Sequence, residues 1–440
     1  MFIVSSLATI AVMCKFASNG AARSKTSKSD TALFIPSPQT LGLHKEYVYL
    51  FTRTCSKLYS RSNAAEAQAH ARVFDVDDGL PSLPRLARMV GVRKEVANAP
   101  GYVAPERCGR FLLDLNECPF PPPRAVVEAL CFAGRYANRY PGRELFDRLR
   151  QLVADYVGVG IDNVAVFGGG DEGLCAIFEA FIANGDGVVL TKPGFAMVRV
   201  YAEIRGAKTI PIPLREEGFR WTIDFNGLVE AAKKAKLVVI ENPHNPTGSL
   251  LLTPGQVREL LVEAENTVVL VDEAYYEFAG VTVASLVKDH SNLLVLRTLS
   301  KAFCLAGLRV GYLVAAEETL KQMASVLAPF TISRPSLVAA IEALENRGYV
   351  GHVVRFVVRE RERMFQEINK IDGFKAYMSK TNFLLVKTPE NVDIAKLALE
   401  QGIRIKRVKD LPGSYVRVSI GLRRANKLLL EVLRGATVKP

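Results

Sequence analysis

A lysine flanked by a hydroxyl group and followed by an arginine is the feature of this sequence with the clearest chemical potential. Lys301 follows an apolar run that ends near Arg297, with Ser300 before it and Arg309 eight residues after it. A lysine just beyond a buried strand is partly desolvated, which lowers its pKa and makes its amine a nucleophile toward an aldehyde. The hydroxyl and the guanidinium are both suited to a phosphate group. Taken alone, the pattern also fits a lysine that only solvates the surface.

Further polar groups follow apolar runs in the same way. Asp272 could pair with a protonated pyridine nitrogen, and Tyr275 could donate to a phenolate oxygen, although an aspartate that only caps a helix is the alternative. Asn245 lies in a turn that contains two Asn-Pro dipeptides and Gly248. Its position after a strand makes Asn245 a candidate hydrogen-bond donor to a ligand, whereas His244 fits a turn residue better than a base.

A glycine-rich turn and an aromatic residue precede these groups. Residues 168–173 read Gly-Gly-Gly-Asp-Glu-Gly and join a predicted strand to a predicted helix. Glycines let the backbone approach a phosphate, and a helix N-terminus supplies free N–H groups, but the spacing matches neither the dinucleotide-binding loop nor the P-loop. Phe195 could stack on an aromatic ring, although a core position is the default for phenylalanine. In order, the turn, the aromatic residue, the Asn-Pro turn, the aspartate with its tyrosine, and the lysine supply every contact that a phosphorylated pyridine aldehyde needs.

The elements that must position these groups alternate between apolar strands and amphipathic helices, which predicts a mostly parallel sheet covered on both faces. Ligands in such folds bind beyond the carboxyl ends of the strands, where the candidate residues lie. Past Pro329 the pattern predicts long charged helices at residues 335–345 and 352–371 and then a smaller α/β unit. The predicted strands are residues 163–167, 187–190, 237–240, 267–271, 293–296, 383–386, 403–405 and 415–420.

The sequence therefore predicts an α/β protein with a large domain and a smaller one. We assign residues 1–81 to a targeting leader and linker, and residues 82–149 to an N-terminal arm and part of the small domain. Residues 150–334 form the predicted large, cofactor-binding domain, and residues 335–440 the small C-terminal domain.

The bulk composition excludes several other classes. The chain has 440 residues, is 49% hydrophobic and carries a formal net charge of +12. Its lysines and arginines are spread along the chain without a basic stripe, which argues against a nucleic-acid-binding face. Seven cysteines without a C-x-x-C pair or Cys/His cluster argue against a disulfide framework or a metal site.

The front of the chain resembles a targeting leader. Residues 2–14 are apolar and long enough for a signal peptide but not for a membrane span, and residues 15–31 hold only one acidic residue, Asp30. A signal-like stretch before a transit-like one resembles the bipartite leaders of proteins sent to complex plastids, with Phe34 as a candidate start of the transit part. A mitochondrial presequence, or the tail of a cytoplasmic protein, is the alternative. No later run is long enough to span a bilayer, so no membrane association is expected after leader removal.

From about residue 82 to the C-terminus, the motifs resemble fold-type I aminotransferases, and among them most closely the histidinol-phosphate aminotransferases. The stretch around Lys301 is the most specific part of the likeness. The motifs that carry it are Leu-Asn-Glu at 115–117, Asn-Arg-Tyr-Pro at 138–141, Gly-Asp-Glu-Gly at 170–173, Asn-Pro-His-Asn-Pro-Thr-Gly at 242–248, Asp-Glu-Ala-Tyr-Tyr-Glu-Phe at 272–278, Arg-Thr-Leu-Ser-Lys-Ala-Phe-Cys-Leu-Ala-Gly-Leu-Arg at 297–309 and Val-Arg-Val-Ser-Ile-Gly at 416–421.

The resemblance implies pyridoxal 5′-phosphate as cofactor, held by Lys301 as a Schiff base, with the same lysine moving the proton during reaction. It further implies that Asp272 pairs with the pyridine nitrogen, that Phe195 stacks on the ring, and that Tyr275 and Asn245 hold the ring oxygen. The implied phosphate ligands are Ser300, Arg309 and the backbone of Gly170 and Asp171. Tyr140 would reach the cofactor of a neighbouring subunit, which implies a homodimer. The implied substrate ligands are Arg417, Lys406 and Asn245.

Three positions depart from the family pattern on the substrate side. Residues 85–89 read Arg-Leu-Ala-Arg-Met and lack a tyrosine that relatives often carry, and Val198 stands where a tyrosine is frequent. Lys406, beside Arg407, stands in place of the second substrate-binding arginine. A lysine is a point charge without the bidentate grip of arginine, so the departures bear on the substrate and not on the cofactor.

The activity implied is transamination between histidinol phosphate and 2-oxoglutarate in histidine biosynthesis. An aromatic amino acid aminotransferase on the same scaffold is the alternative. A decarboxylase of a phosphorylated amino acid is disfavoured by the run from Ser300 to Arg309, and a catalytically silent binding protein by the complete set of cofactor ligands.

Overall fold

The computed structural model describes residues 91–99, 101 and 105–436. The helices in these ranges are α1 (Lys94–Asn98), α2 (Arg124–Gly134), α3 (Arg143–Val157), α4 (Gly170–Phe181), α5 (Ala196–Ile204), α6 (Phe225–Ala232), α7 (Pro254–Glu263), α8 (Tyr276–Ala279), α9 (Glu317–Met323), α10 (Arg334–Glu345), α11 (Gly348–Ile368), α12 (Ile394–Glu400) and α13 (Arg423–Ala436). The strands are β1 (Phe111–Leu113), β2 (Val164–Phe167), β3 (Gly187–Lys192), β4 (Lys208–Glu217), β5 (Arg220–Ile223), β6 (Leu237–Glu241), β7 (Val268–Asp272), β8 (Leu293–Thr298), β9 (Gly311–Ala315), β10 (Lys375–Ala376), β11 (Phe383–Lys387), β12 (Ile403–Val408) and β13 (Tyr415–Ser419).

The larger sheet has eight strands in the order β2-β9-β8-β7-β6-β3-β4-β5. The neighbours from β8 to β4 are parallel, whereas β9 is antiparallel to both of its neighbours and β5 is antiparallel to β4. Every residue of β6, β8 and β9 is buried, which explains why their sequences are apolar runs and not alternating patterns. The predicted α/β architecture with a mostly parallel central sheet is confirmed.

The smaller sheet has five strands in the order β1-β12-β13-β11-β10. Strand β1 pairs in parallel with β12, with Phe111 opposite Ile403, and the other pairs are antiparallel. The segment after β1 therefore starts from the same sheet as the C-terminal strands, although almost 300 residues separate them in sequence. Helix α10 packs against α2 and α3, so the N-terminal helices and the C-terminal part share one body.

Local sequence explains where several of these helices begin and end. Helix α3 buries Leu149, Leu152 and Val153 on one face and ends at Gly158, whose φ of 84° favours glycine. Helix α7 begins with a capping box in which the Thr253 hydroxyl accepts from the backbone N–H of Gln256.

The structure differs from the sequence predictions in particular places. The helix predicted at residues 352–371 is α11, which begins at Gly348 and ends at Ile368. It ends there because the side chain of Asn369, the next residue, forms hydrogen bonds with the backbone of Phe365 and Ala376. Strands β1, β4, β5, β9 and β10 were not predicted.

The predicted leader, residues 1–81, lies outside the described residues, and the domain boundaries remain a prediction. No helix within residues 91–99 and 105–436 is both long and apolar enough to cross a membrane.

Candidate active site

A cavity of about 780 Å³ lies beyond the carboxyl ends of β6, β7 and β8, against the small sheet. We call Asp272 at the end of β7, together with Ser300 and Lys301 after β8, the floor. The cations on β12 and β13 (Lys406 and Arg417) are the wall. With the exception of Tyr140, the structure brings together all the residues predicted for the site. The predicted residues that line the cavity are Gly170, Asp171, Phe195, Asn245, Asp272, Tyr275, Ser300, Lys301, Arg309, Lys406 and Arg417.

Lys301 lies in the loop directly after β8 and directs its amine into the cavity. Its Nζ donates to the backbone oxygen of Leu115 at 3.1 Å and lies 5.9 Å from the centre of the Tyr275 ring. Burial and, next, the positive charge of Arg417 lower the pKa of Lys301 to about 8. The ordinary pKa of lysine is 10.5, so the Lys301 amine loses its proton at a distinctly lower pH than an exposed lysine does.

Asp272 is the last residue of β7, and its carboxylate accepts from the N–H of Ala274 at 2.9 Å. Burial and, next, the charge of Glu241 raise the pKa of Asp272 to about 7. Glu241 is aligned with Asp272 across the β6–β7 pair and also lines the cavity. A cation placed against Asp272 would reverse this shift, because an opposite charge favours the ionised carboxylate.

Glu241 is a residue that sequence reasoning missed. It accepts from the backbone N–H of Phe195 at 2.7 Å and from the Thr191 hydroxyl at 2.9 Å, and burial raises its pKa. The signal was a single acidic residue at the end of an otherwise apolar strand. His244 is fully buried, contacts Thr191 and Thr247, and has its pKa lowered by burial to about 3. It is therefore neutral near pH 7, and it lies in the turn to which the sequence assigned it.

The corner of the cavity at the N-terminus of α4 is suited to an anion. Arg309 Nη1 donates to Ser300 Oγ at 3.3 Å, and Nη2 donates to the Asp171 carboxylate at 3.2 Å. The corner is so tight that a Cβ at Gly169 would lie 2.4 Å from Arg309 Nη2, and one at Gly311 would lie 2.7 Å from the Gly169 backbone. The guanidinium, the hydroxyl and the free N–H groups of the helix match the needs of a phosphate group.

Tyr275 is buried beside the floor, and its hydroxyl accepts from the side-chain amide of Asn116 at 2.8 Å. Burial raises the pKa of Tyr275 to about 12, so its hydroxyl keeps its proton at neutral pH. Asn116 was part of the Leu-Asn-Glu motif, but no sequence pattern indicated this contact, because its partner is 159 residues away.

The wall is built from two neighbouring strands. Lys406 on β12 is directly opposite Arg417 on β13, so the two side chains share one face of the sheet. Arg417 donates to Asn245 Oδ1 and to the backbone oxygen of Asp114, both at 2.6 Å. Lys406 is exposed, and partial desolvation of its amine lowers its pKa, with the charge of Arg417 as the next cause. Arg407 also lines the cavity, but its guanidinium is in an ion pair with Asp393, so we take Lys406 as the second cation of the wall.

Two predicted positions lie elsewhere. Tyr140 is 78% exposed, with its ring 4.9 Å from that of Phe330, and does not line the cavity. Val198 is only 3% exposed and packs in the hydrophobic core with Phe178 and Leu237, so this departure does not alter the cavity lining of the subunit. Residues 85–89 are outside the described residues.

The donor set of the cavity fits pyridoxal 5′-phosphate, the cofactor expected from the sequence. It combines an amine of lowered pKa, a buried carboxylate for a pyridine nitrogen, a phenol and an amide for a ring oxygen, and an anion corner for a phosphate. In the described part of the chain, no group of three His, Cys, Asp or Glu side chains is arranged to hold a metal ion.

Comparisons with known proteins indicate the family of the chain. The family model described as aminotransferase class I and II matches residues 110–432. A histidinol-phosphate aminotransferase of Sulfurisphaera tokodaii is 41% identical over 73% of this chain and 88% of its own length, and one of Thermoanaerobacter pseudethanolicus is 38% identical over 78% and 97%. The crystal structure of histidinol-phosphate aminotransferase from Sinorhizobium meliloti in complex with pyridoxal 5′-phosphate superposes with a TM-score of 0.71, at 26% identity, and covers 78% of this chain and 97% of that chain.

Proposed function

This chain belongs to the class I and II aminotransferase family, and on that premise we propose that it transfers an amino group between histidinol phosphate and 2-oxoglutarate. The products are imidazole acetol phosphate and L-glutamate, and the reaction is a step of histidine biosynthesis. The observation that carries the proposal is one cavity in which an amine, a pyridine-binding carboxylate and an anion corner face two substrate-binding cations. The names of relatives up to 41% identical support the choice of substrate.

The cofactor is pyridoxal 5′-phosphate, which supplies an aldehyde and an electron-accepting ring when it is bound. Ser300, Arg309 and the first N–H groups of α4 would bind its phosphate. The Asp272 carboxylate would pair with the protonated pyridine nitrogen, and this pairing would keep the ring an electron sink. Phe195 would stack on the ring, and its backbone is held because its N–H donates to Glu241.

Lys301 is the proton carrier of the reaction. Because its pKa is lowered to about 8, a larger fraction of its amine is unprotonated near neutral pH than in an exposed lysine, and only this form can accept a proton from the substrate carbon and return it afterwards. The Leu115 carbonyl holds the amine at 3.1 Å and limits the directions from which it can act. The match between its pKa and the working pH favours proton transfer in both directions.

The wall selects substrates with an anionic end. Arg417 is held in place by Asn245 and by the Asp114 carbonyl, and Lys406 adds a second positive charge beside it. Both the phosphate of histidinol phosphate and a carboxylate of 2-oxoglutarate or glutamate satisfy this pair. The two half-reactions can therefore use the same cations in turn.

A donor panel tests the proposed substrate. The purified enzyme is assayed with 2-oxoglutarate and with histidinol phosphate, phenylalanine, tyrosine or phosphothreonine, and glutamate formation is measured. We expect the highest kcat/KM with histidinol phosphate. A higher value with phenylalanine or tyrosine would establish the aromatic aminotransferase instead, and carbon dioxide release from the phosphorylated amino acid would indicate a decarboxylase.

The active form proposed here is a homodimer. Tyr140, which the family resemblance assigns to the cofactor of a neighbouring subunit, is exposed beside Phe330 and outside the cavity of its own subunit, so it is available to a second copy. Light scattering at several concentrations should give twice the chain mass.

A Tyr140→Phe variant should bind the cofactor a few-fold more weakly, because one hydrogen bond to the phosphate is lost. A monomeric active enzyme would contradict the proposal.

A plastid is the destination we propose for the chain. The support is the order of a signal-like stretch at residues 2–14 and a transit-like stretch at residues 15–31. A fusion of residues 1–90 to a fluorescent protein should enter plastids, and residues 15–90 alone should not reach complex plastids. Entry into mitochondria, or retention in the cytoplasm, would contradict this destination.

A further inference from the structure

The segment that follows β1 contacts both Lys301 of the floor and Tyr275, which lies beside the floor. The Leu115 carbonyl accepts from Lys301 Nζ at 3.1 Å, and the Asn116 amide donates to Tyr275 Oη at 2.8 Å. The segment leaves the small sheet, whereas Lys301 and Tyr275 follow strands of the large sheet. It is therefore a direct link between the small sheet and the reacting groups.

Asn116 is held on every side by other residues. It is 2% exposed and has a φ of 55°, in the left-handed region that asparagine tolerates better than most residues. Its backbone N–H donates to Ser419 Oγ at 2.9 Å, its Oδ1 accepts from the same hydroxyl at 3.2 Å, and its backbone oxygen accepts from Asn382 at 2.9 Å. These bonds fix the orientation of the Asn116 side chain, so that its Nδ2 points toward Tyr275.

The chemistry of the two groups fixes which of them donates. An amide nitrogen can only donate, so the Tyr275 oxygen accepts the bond and keeps its own proton for another partner. In the described part of the chain, the Tyr275 hydroxyl has no further hydrogen-bond partner, and Tyr275 lines the cavity. We propose that Asn116 is a positioning residue that orients the Tyr275 proton toward the ring oxygen of the bound cofactor.

The orientation matters because the ring oxygen is most useful as an anion. A phenol that donates to an anion stabilises it, whereas a phenol that turned its lone pair toward the anion would repel it. This inference rests on the proposed use of pyridoxal phosphate. The other charged groups that act on Tyr275 are Arg417, Asp272 and Glu241, with the Lys301 amine over its ring, and all of them are kept in the variants below.

The test measures cofactor binding and the cofactor spectrum, and not only turnover. In the full chain, Asn116→Gly removes the amide without strain, because glycine adopts a φ of 55° freely. We expect it to weaken pyridoxal phosphate binding about fivefold, as one hydrogen bond is lost. The pH midpoint of the visible absorbance of the bound cofactor should rise by about half a pH unit, because the anionic form is less stabilised.

A second variant covers the case in which glycine impairs folding. Asn116→Asp keeps the size, the tolerated φ and the acceptor for Ser419, but its carboxylate accepts the Tyr275 proton and turns it away from the cavity. We expect a larger loss of cofactor affinity than for Asn116→Gly. Asn426→Ala is the control, since it removes an equally buried amide that bonds to Gly421 and Glu360, outside the cavity. It should lower Tm without changing cofactor affinity.

A double-mutant cycle separates positioning from general support of the fold. If Asn116 acts through the phenol, Asn116→Gly should change cofactor affinity by less than about twofold in a Tyr275→Phe background. An equal loss in both backgrounds, or variants that bind like the parent, would overturn this inference alone. A parent chain that does not bind pyridoxal phosphate would overturn the proposed function and this inference with it.

Discussion

The floor and the wall of the cavity differ in how the fold holds their charged groups. Asp272 ends a central strand of the large sheet, and Ser300 and Lys301 directly follow another. Burial is the main cause of the shifted pKa values of Asp272 and Lys301. Lys406 and Arg417 project from the smaller sheet, and Lys406 is exposed. Charges that are screened by water contribute less per residue than buried ones. The comparison predicts that floor substitutions remove the chemistry, whereas wall substitutions change which substrate is bound and how tightly.

The largest effect is expected at Lys301. Lys301→Ala removes both the covalent attachment of the cofactor and the proton carrier, so turnover should fall by about 10³-fold or more. The visible absorbance of the bound cofactor should disappear with it. Lys321→Ala, at an exposed ion pair with Glu317, is the control and should behave like the parent. Retained turnover in the Lys301 variant would disprove the assignment of the floor.

Strand ends explain how much of the site could be predicted from the sequence. The residues after β7 and β8 were found because each follows an apolar run that can only be a buried strand, and parallel strands bring their carboxyl ends to one edge. Asn116 and Glu241 were missed, since their roles depend on partners that lie far away in sequence or on a neighbouring strand. The pairing of β1 with β12 could not be predicted either, because three apolar residues carry no information about a partner almost 300 residues later.

Asp272→Asn should have the second largest effect. The amide cannot neutralise a protonated pyridine nitrogen, so kcat should fall by about 100-fold and the cofactor should dissociate more readily. Glu277→Gln is a matched control, because burial also raises the pKa of Glu277 to about 7 but its partner is Tyr156, outside the cavity. Equal losses of cofactor affinity in both variants would show that any buried carboxylate supports the site, and not Asp272 in particular.

A substitution in the wall should act on KM more than on kcat. Arg417→Gln removes charge-assisted hydrogen bonds to substrate, so KM for histidinol phosphate and for glutamate should each rise about 10- to 100-fold. Lys375→Gln on β10 of the same sheet is the control, because its amine pairs with Glu216 and lies outside the cavity. If kcat fell and KM stayed constant, Arg417 would belong with the floor and the comparison would fail.

Lys406 should have a smaller effect that depends on salt. Lys406→Ala removes an exposed charge, so KM for histidinol phosphate should rise about threefold at low ionic strength. The rise should be smaller at roughly 0.5 M salt, because salt screens the charge. Lys406→Arg should lower KM for the same donor, because a guanidinium binds a phosphate with two hydrogen bonds. A rise in KM for Lys406→Arg would show that the wall has no room for a second guanidinium beside Arg417.

The smallest effect concerns stability, and it has the opposite sign to the effect on catalysis. Burial raises the pKa of Asp272 to about 7, above its ordinary value of 3.8, so the folded protein without cofactor holds this proton more tightly than the unfolded chain does. The stabilising contribution is complete below pH 4, roughly, and is lost as the pH rises through about 7.

Asp272→Asn cannot ionise, so at pH 8 the cofactor-free variant should melt a few degrees higher than the parent, and the two should converge toward pH 4, approximately. Differential scanning calorimetry across this range measures the difference, and some pH dependence should remain in the variant because burial also raises the pKa of Glu277 to about 7. A variant that melts lower than the parent at pH 8 would mean that the ionised Asp272 carboxylate stabilises the fold. It would contradict the expectation that this charge lowers the free energy of unfolding.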